Sequence, residues 1–347
     1  MDHPLTLFGR QLIPNLPSFR YGAPQQSGPL TVLPLIGPDD RRIAPLSSLK
    51  LGGVKRGYGN VELRNSSRDG VCIVPLHMGY IQDGAQNHAL CRGALLQPGQ
   101  GVVFEDACCV QQSQGGYLEN RDQWFFVLPL QLREQALQLR GTKSYGKLWP
   151  AISALNRRFE LADRGHLEQI ICRSRPYLNQ YRSRFELLDG QTGAMFFLDD
   201  CLAGVEIAPS IECFRELWMP LVCFCYGVAA MEMETVGGVP QVKPSRARPF
   251  EGENLAELRE KLVESRWERQ LRLREPAAYG AKDGKAPAFR ATEEERHQKM
   301  RLSTVASENF CGQVVEEDGK LLYASITARE AWLNLALGKK QMPLAKK

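Results

Sequence analysis

Between Val71 and Gln112 the chain alternates brief apolar runs with tight-turn signals, and this rhythm constrains the fold more than any other feature of the sequence. The runs VCIVPL, ALLQ, GVVFE and ACCV are separated by turn signals at Asp83-Gly84, Pro98-Gly99 and Glu105-Asp106. Short apolar runs bounded by Gly, Pro and Asp predict several antiparallel strands. Across those strands lie His77, Gln86, Asn87, His88, Cys91, Cys109, Gln111 and Gln112, an unusual density of reactive and amide side chains.

Other elements follow from local pattern. Residues 1–29 are rich in Pro, Gln and Ser and read as an irregular lead-in, after which Leu30–Ile36 is the first strand. The GGVKRGYG loop carries Lys55 and Arg56 among glycines, but it lacks the spacing of a phosphate-binding loop and reads as plain connection. Strands resume at Val61 and again at Trp124–Leu130. Tyr145, Leu148, Trp149, Ile152, Leu155 and Phe159 recur every three or four residues and predict a core-facing helix, with Pro150 at a kink or in its first turn. A second helix begins at Pro176 and buries Tyr177, Tyr181, Phe185 and Leu188. Gly193–Ala208 reads as a hairpin turning at Asp199-Asp200. Ser210 caps a helix with the stripe Phe214, Trp218, Leu221, Cys225 and Val228. Beyond Thr235 come a linker, a charge-laced helix at Leu255–Arg274 and a connection rich in Ala, Gly, Pro and Lys at 275–291. Thr292 with Glu295 forms a capping box for a short helix, a hairpin turns at Asp318-Gly319, and Thr327 with Glu330 caps a last helix ending at Gly338. The reading is α+β: an antiparallel-strand-rich core with packed helices and a helical C-terminal extension. It divides into the lead-in at 1–29, a core domain at 30–235, a linker and charged extension at 236–309, and a hairpin with terminal helix at 310–338.

Composition limits the function classes. An apolar content of 43% builds a real core and excludes global disorder. The chain carries 44 basic and 39 acidic residues, interleaved along its length, which argues against a dedicated nucleic-acid face. The N-terminal MDHPLTLFGRQLIP has no secretory pattern, and the apolar window Leu217–Met231 contains Pro220 and is short for a bilayer. With 10 cysteines and no such signal, the expectation is a cytoplasmic protein with reduced thiols and no membrane partner.

Three chemistries compete for the organising stretch. Cys109 with His88 or His77 would make a thiol–imidazole pair for nucleophilic catalysis, unless the cysteine simply packs in the core. His77, His88 and Cys91 lack the paired spacing of a zinc site, so no metal and no cofactor are expected. Gln86, Asn87, His88, Gln111 and Gln112 offer donors and acceptors suited to a ribose, a base edge or a peptide, or else they satisfy buried backbone groups. Asp199, Asp200 and Glu206 are a carboxylate cluster or, more simply, a turn.

Three segments carry a family resemblance. DGAQNHAL (Asp83–Leu90) resembles a Gly-x-Gln-Asn-Arg strand, with His88 in place of arginine. CVQQ (Cys109–Gln112) is similar to Cys-Val-Glu-Gln, with Gln111 in place of the acid, and the segment from Gly190 to Met231 matches a Gly-rich hairpin followed by a Phe-x-x-Leu-Trp helix. Together they resemble a bacterial family named for association with ADP-ribosylglycohydrolases and rhodanese-phosphatase proteins. The resemblance implies an accessory binding protein in ADP-ribose- or NAD-linked metabolism or a bacterial conflict system, with a nucleotide-type ligand or a protein as partner. The alternatives are a Cys/His enzyme acting on an ADP-ribose-type or protein substrate, and a nucleic-acid-contacting factor using the basic Arg259–Arg301 extension.

Overall fold

A computed structural model describes residues 5–6, 18–52, 59–81, 86–113, 125–236, 239–240, 254–272 and 288–337. Residues 53–58 of the GGVKRGYG loop, the Asp83-Gly84 turn, Trp124 and Gly338 lie outside these residues.

The protein is built on one antiparallel sheet and a body of short strands seated against it. In spatial order the large sheet runs Leu5–Thr6, Ala288–His297, Met300–Ala306, Phe310–Glu317, Lys320–Ala328, Cys201–Ile207, Gln191–Leu198, Leu30–Ile36 and Arg20–Tyr21. Gln25–Ser27, within the lead-in, also pairs with Leu30–Ile36. Both hairpins turn where the sequence placed them. Asp199 and Asp200 have φ of 46° and 66°, and Asp318 and Gly319 have 50° and 75°, the left-handed pair that matches strand twist in a two-residue turn. Asp199-Asp200 is therefore a turn.

Period-two alternation divides the sheet's side chains between two cores. Leu30, Val32, Ala194, Phe196 and Leu198 face one core with the helices, whereas Leu33, Leu35, Met195, Phe197 and Val205 join Val314, Ile326 and Phe310 in the other. The covering helix runs from Ile211 to Glu234. Its first part, α5 (Ile211–Met219), is capped by the Ser210 hydroxyl, which accepts from the Cys213 amide at 3.2 Å. Pro220 has no amide hydrogen to continue the ladder, and Pro220–Tyr226 adopts π-helical pairing before α6 (Gly227–Glu234) resumes. The whole is 24 residues long and passes the length and hydropathy test for a membrane span, but 83% of the apolar window is buried inside the protein. Gly204 lets the helix approach: a Cβ there would sit 2.0 Å from the Tyr226 hydroxyl.

The organising stretch folds as short antiparallel ladders: Cys72–Val74 with Ala94–Leu96, Gly101–Phe104 with Val61–Asn65 and Leu49–Gly52, and Cys108–Cys109, His88–Ala89, Met78–Tyr80 and Phe125–Val127 in that order. Ile73 and Leu95 pack on Met300, Leu302, Val315 and Leu322, joining this body to the large sheet. Four helices follow in the chain: α1 (Leu130–Gln138), α2 (Trp149–Arg158, Pro150 in its first turn), α3 (Glu168–Arg173) and α4 (Arg175–Arg184, Pro176 in its first turn). A charged helix follows at Leu255–Arg272.

Two helix-start signals misread the C-terminal region. The Thr292–Glu295 box lies inside the strand Ala288–His297, whose exposed charges suit a strand near a sheet edge. Residues 288–306 therefore belong to the large sheet. Thr327 is likewise in a strand, and the last helix, Glu330–Ala336, starts after Arg329 without a side-chain cap. In both cases pairing across the sheet outweighed a local capping pattern.

Candidate functional site

Strand pairing draws the two motif segments together and adds a third. Cys109 lies opposite His88 and Cys108 opposite Ala89. The chain then runs beside 165–167: Gln112 donates its amide to the Gly165 carbonyl at 3.0 Å, Leu167 donates to the Val110 carbonyl at 2.9 Å, and Gln111 bridges His166. Val110 donates to the Asn87 carbonyl at 3.0 Å, so all three segments share one ladder.

Amide side chains lock this junction. The Asn87 backbone N–H donates to Gln111 Oε1 and Gln86 Nε2 donates to the Gln111 carbonyl, both at 3.0 Å. Gln112 Oε1 accepts from the Gly165 amide at 2.7 Å. Asn156 of α2 donates to the carbonyls of Arg164 (2.7 Å) and His166 (3.1 Å), fixing the third segment from behind. Much of the amide content thus satisfies backbone groups.

Several buried polar atoms at this junction, Asn156 Oδ1 and His88 Nε2 besides a Glu168 oxygen, have no hydrogen-bond partner among the described residues, and the carboxyl is the one that can carry negative charge. Glu168 is fully buried; Asn87 Nδ2 donates to its Oε1 at 3.1 Å, while Oε2 has no hydrogen-bond partner among the described residues. Oε2 lies 3.9 Å from His166 Nε2, and on the other side of that ring Nδ1 is 3.1 Å from the Ser113 hydroxyl. Burial raises the Glu168 carboxyl to about 7 against the opposing pull of its own amide and of Asn87. His166 is lowered by burial and by the Arg164 charge. Asn87, Gln111, His166 and Glu168 are buried, Gln86 beside them is half-buried, and Gln112 and Ser113 are exposed.

The remaining sequence candidates separate. The Cys109 thiol donates to the Gln111 carbonyl at 3.1 Å, and burial pushes it up to about 11. His88 Nδ1 contacts the Gln86 carbonyl at 2.8 Å; since a carbonyl only accepts, Nδ1 carries the proton, and burial lowers the ring's basicity. His77 belongs to a different cluster, around Arg133. Arg133 Nε donates to His77 Nδ1 at 3.1 Å, Nη1 to Glu206 Oε1 at 2.5 Å, and Nη2 to the Ser325 hydroxyl, while the Tyr226 hydroxyl donates to Glu206 at 2.7 Å. Glu206 is thereby an ion-pair partner, separate from the Asp199-Asp200 turn. Among the described residues no group of three His, Cys, Asp or Glu side chains is placed to hold a metal ion.

Among the described residues of the Arg259–Arg301 region, Lys261 pairs with Glu257, Arg296 with Glu293, Lys299 with Asp318 and Arg301 with Glu316. A cleft of about 880 Å³ lies elsewhere, between residues 39–45, 67–70 and the start of α5. Its Arg41 and Arg42 already bind Asp39 and Asp40.

Sequence reasoning missed Glu168, His166, Ser113 and Arg133. The first two sit in GHLEQ, where no motif spacing announces them and only the ladder brings them to Asn87.

Residues 18–326 match the model of the ARG and Rhodanese-Phosphatase-superfamily-associated Protein domain (ARPP-1). The chain belongs to this family. The matched region extends past the 30–235 core, taking in the strands at 288–297, 300–306 and 310–317 and most of the last one. Comparison with curated proteins and with solved structures gives no match. Within the ARPP-1 domain, the two short motifs and GHLEQ meet at the cluster described above.

Proposed function

We propose that this protein is an accessory binding protein for a hydroxyl-rich ligand of the ADP-ribose class, held at the Asn87–Gln111–Glu168 cluster. The observation that carries the reading is the buried Glu168 oxygen without a hydrogen-bond partner among the described residues. A buried carboxyl left open in this way calls for a donor from outside the chain, and a ribose hydroxyl or an adenine amine supplies one. Gln86 Oε1 and Gln112 Nε2, the amide atoms not engaged in the backbone contacts above, suit the same ligand, offering an acceptor and a donor without net charge. The family's association with ADP-ribosylglycohydrolases supports the ligand class.

Thermal denaturation with ADP-ribose, NAD, AMP and ribose tests this directly. A ligand present at 100 times its Kd adds about 2.7 kcal/mol of stability. Glu168→Gln, which replaces a charge-assisted hydrogen bond by a neutral one, weakens binding by roughly tenfold. Absence of any shift across the panel rejects the nucleotide reading.

One contact favours a second reading, hydrolysis. Ser113 Oγ, His166 and Glu168 stand in the order of a nucleophile, a base and an orienting carboxyl. In this reading Ser113 replaces Cys109, whose thiol is engaged with a carbonyl and held up by burial. A fluorophosphonate probe should then add covalently to Ser113 and leave Ser113→Ala unmodified. An unlabelled wild-type chain removes the hydrolytic reading and leaves the binding one.

A further inference from the structure

Cys91 and Cys108 take no part in the hydrogen bonds that hold Glu168. Their sulfurs are 3.1 Å apart, both thiols are free and both residues are fully buried. Cys108 is in register with Ala89, and Cys91 follows that strand by two residues, so the pair ties the two strands that carry the motifs. A disulfide bond measures roughly 2.0 Å, so closure asks the sulfurs to approach by about 1 Å.

A cation stands beside them. Lys147 Nζ is fixed by the carbonyls of Asp106 (2.7 Å), Leu139 (3.1 Å) and Thr142 (2.5 Å). The hydrogen bond shared with Cys108, and then the Lys147 charge, hold the Cys91 thiol below its ordinary range against burial and the Asp106 carboxylate. Cys108 is pushed up by the same shared hydrogen bond and by burial. Beside the Lys147 cation one sulfur acts as the attacking thiolate, Cys91 in the step below, and the other as the resolving thiol.

We propose that Cys91 and Cys108 are a redox modification site that closes to a reversible intramolecular disulfide under peroxide. The Cys91 thiolate attacks one peroxide oxygen, the O–O bond breaks, and the departing hydroxide takes a proton to become water. The sulfenic acid on Cys91 is then attacked by the Cys108 sulfur, the S–O bond breaks, and a second water leaves with the Cys108 proton. Two thiols and one peroxide give one disulfide and two waters. Cys109 does not compete as partner, because its thiol is already donated to the Gln111 carbonyl. The step uses no group of the Asn87–Gln111–Glu168 cluster.

The test is a peptide map of the full chain after exposure to hydrogen peroxide in the native state and blocking of residual thiols with N-ethylmaleimide in denaturant. A Cys91–Cys108 cross-linked peptide, lighter by two hydrogens and cleaved by dithiothreitol, is the expected result. Cys201→Ala should keep the cross-link, whereas Cys108→Ala should lose it and leave Cys91 open to dimedone, a trap for sulfenic acid. Recovery of Cys91 and Cys108 as two maleimide-bearing thiols, or a cross-link joining either to another cysteine, overturns the proposal. The wild-type map decides the matter even where a variant fails to fold.

Discussion

A carboxyl sealed from water and offered only a neutral amide and a backbone N–H holds its proton longer than usual, and Glu168 is in that position. Its folded value near 7, against 4.5 as the ordinary value, gives a definite sign. The stability it contributes is fully present below about 4.5 and is lost as pH rises through about 7. The loss is on the order of 3 kcal/mol. His77, His88 and His166 act in the opposite sense, because burial lowers all three; the stability they carry is lost as pH falls below the ordinary imidazole range. Wild-type melts mix both effects, so the difference between Glu168→Gln and wild type isolates the carboxyl. Urea denaturation should show Glu168→Gln gaining on wild type at pH 8.5, with the gain shrinking as pH drops to 5. A difference independent of pH would contradict the burial argument.

At the scale of elements, what was legible in the sequence was what local chemistry decides. Asp199-Asp200 and Asp318-Gly319 mark turns because few residues accept left-handed backbone, and Ser210 marks a helix start because its hydroxyl takes a free amide. The converse explains the misses. Helix α1 reads LQLREQALQ, and its buried side includes Arg133 beside Leu130, Leu132, Ala136 and Leu137, so a charge interrupts the stripe that would reveal it. Thr292 and Glu295 satisfy a capping pattern yet lie in a strand, because register with Met300–Ala306 is set by partners out of sight of a local window. The candidate site divides in the same way: Asn87 and Gln111 stood out by composition, while Glu168 joins them from 81 residues away. Two substitutions test the local rules. Ser210→Ala should cost about 1 kcal/mol in chemical denaturation, the usual loss for an N-cap. Asp200→Gly, at a φ of 66°, should gain a few tenths of a kcal/mol to about 1 by relieving the side chain of a left-handed position.

For the molecule as a whole, Arg133 is the point where its parts meet. The guanidinium sits on α1, and it binds Glu206 and Ser325 of the large sheet and His77 of the short-strand body. The Tyr226 ring from the π-helical turn stacks on Phe196 with centroids 3.9 Å apart and adds its hydroxyl to Glu206. Arg133→Met should cost about 3–5 kcal/mol, since it strands a buried carboxylate. Adding Glu206→Gln should recover much of that, because no charge is then left alone; a double variant as unstable as the single one would show that packing, not charge, dominates.

The same guanidinium settles the chemistry of His77. An arginine can only donate, so the ring nitrogen facing it must be bare and the proton must ride on the far nitrogen, Nε2. His77 also holds a backbone φ of 63° and is driven well below the ordinary imidazole range by burial and the adjacent cation. In a nitrogen-15 spectrum this imidazole should keep one tautomer's pair of resonances through the acid range and lose it only when the seam between the two bodies parts. The protein thus carries its own spectroscopic witness to unfolding, separate from any signal at the ligand cluster.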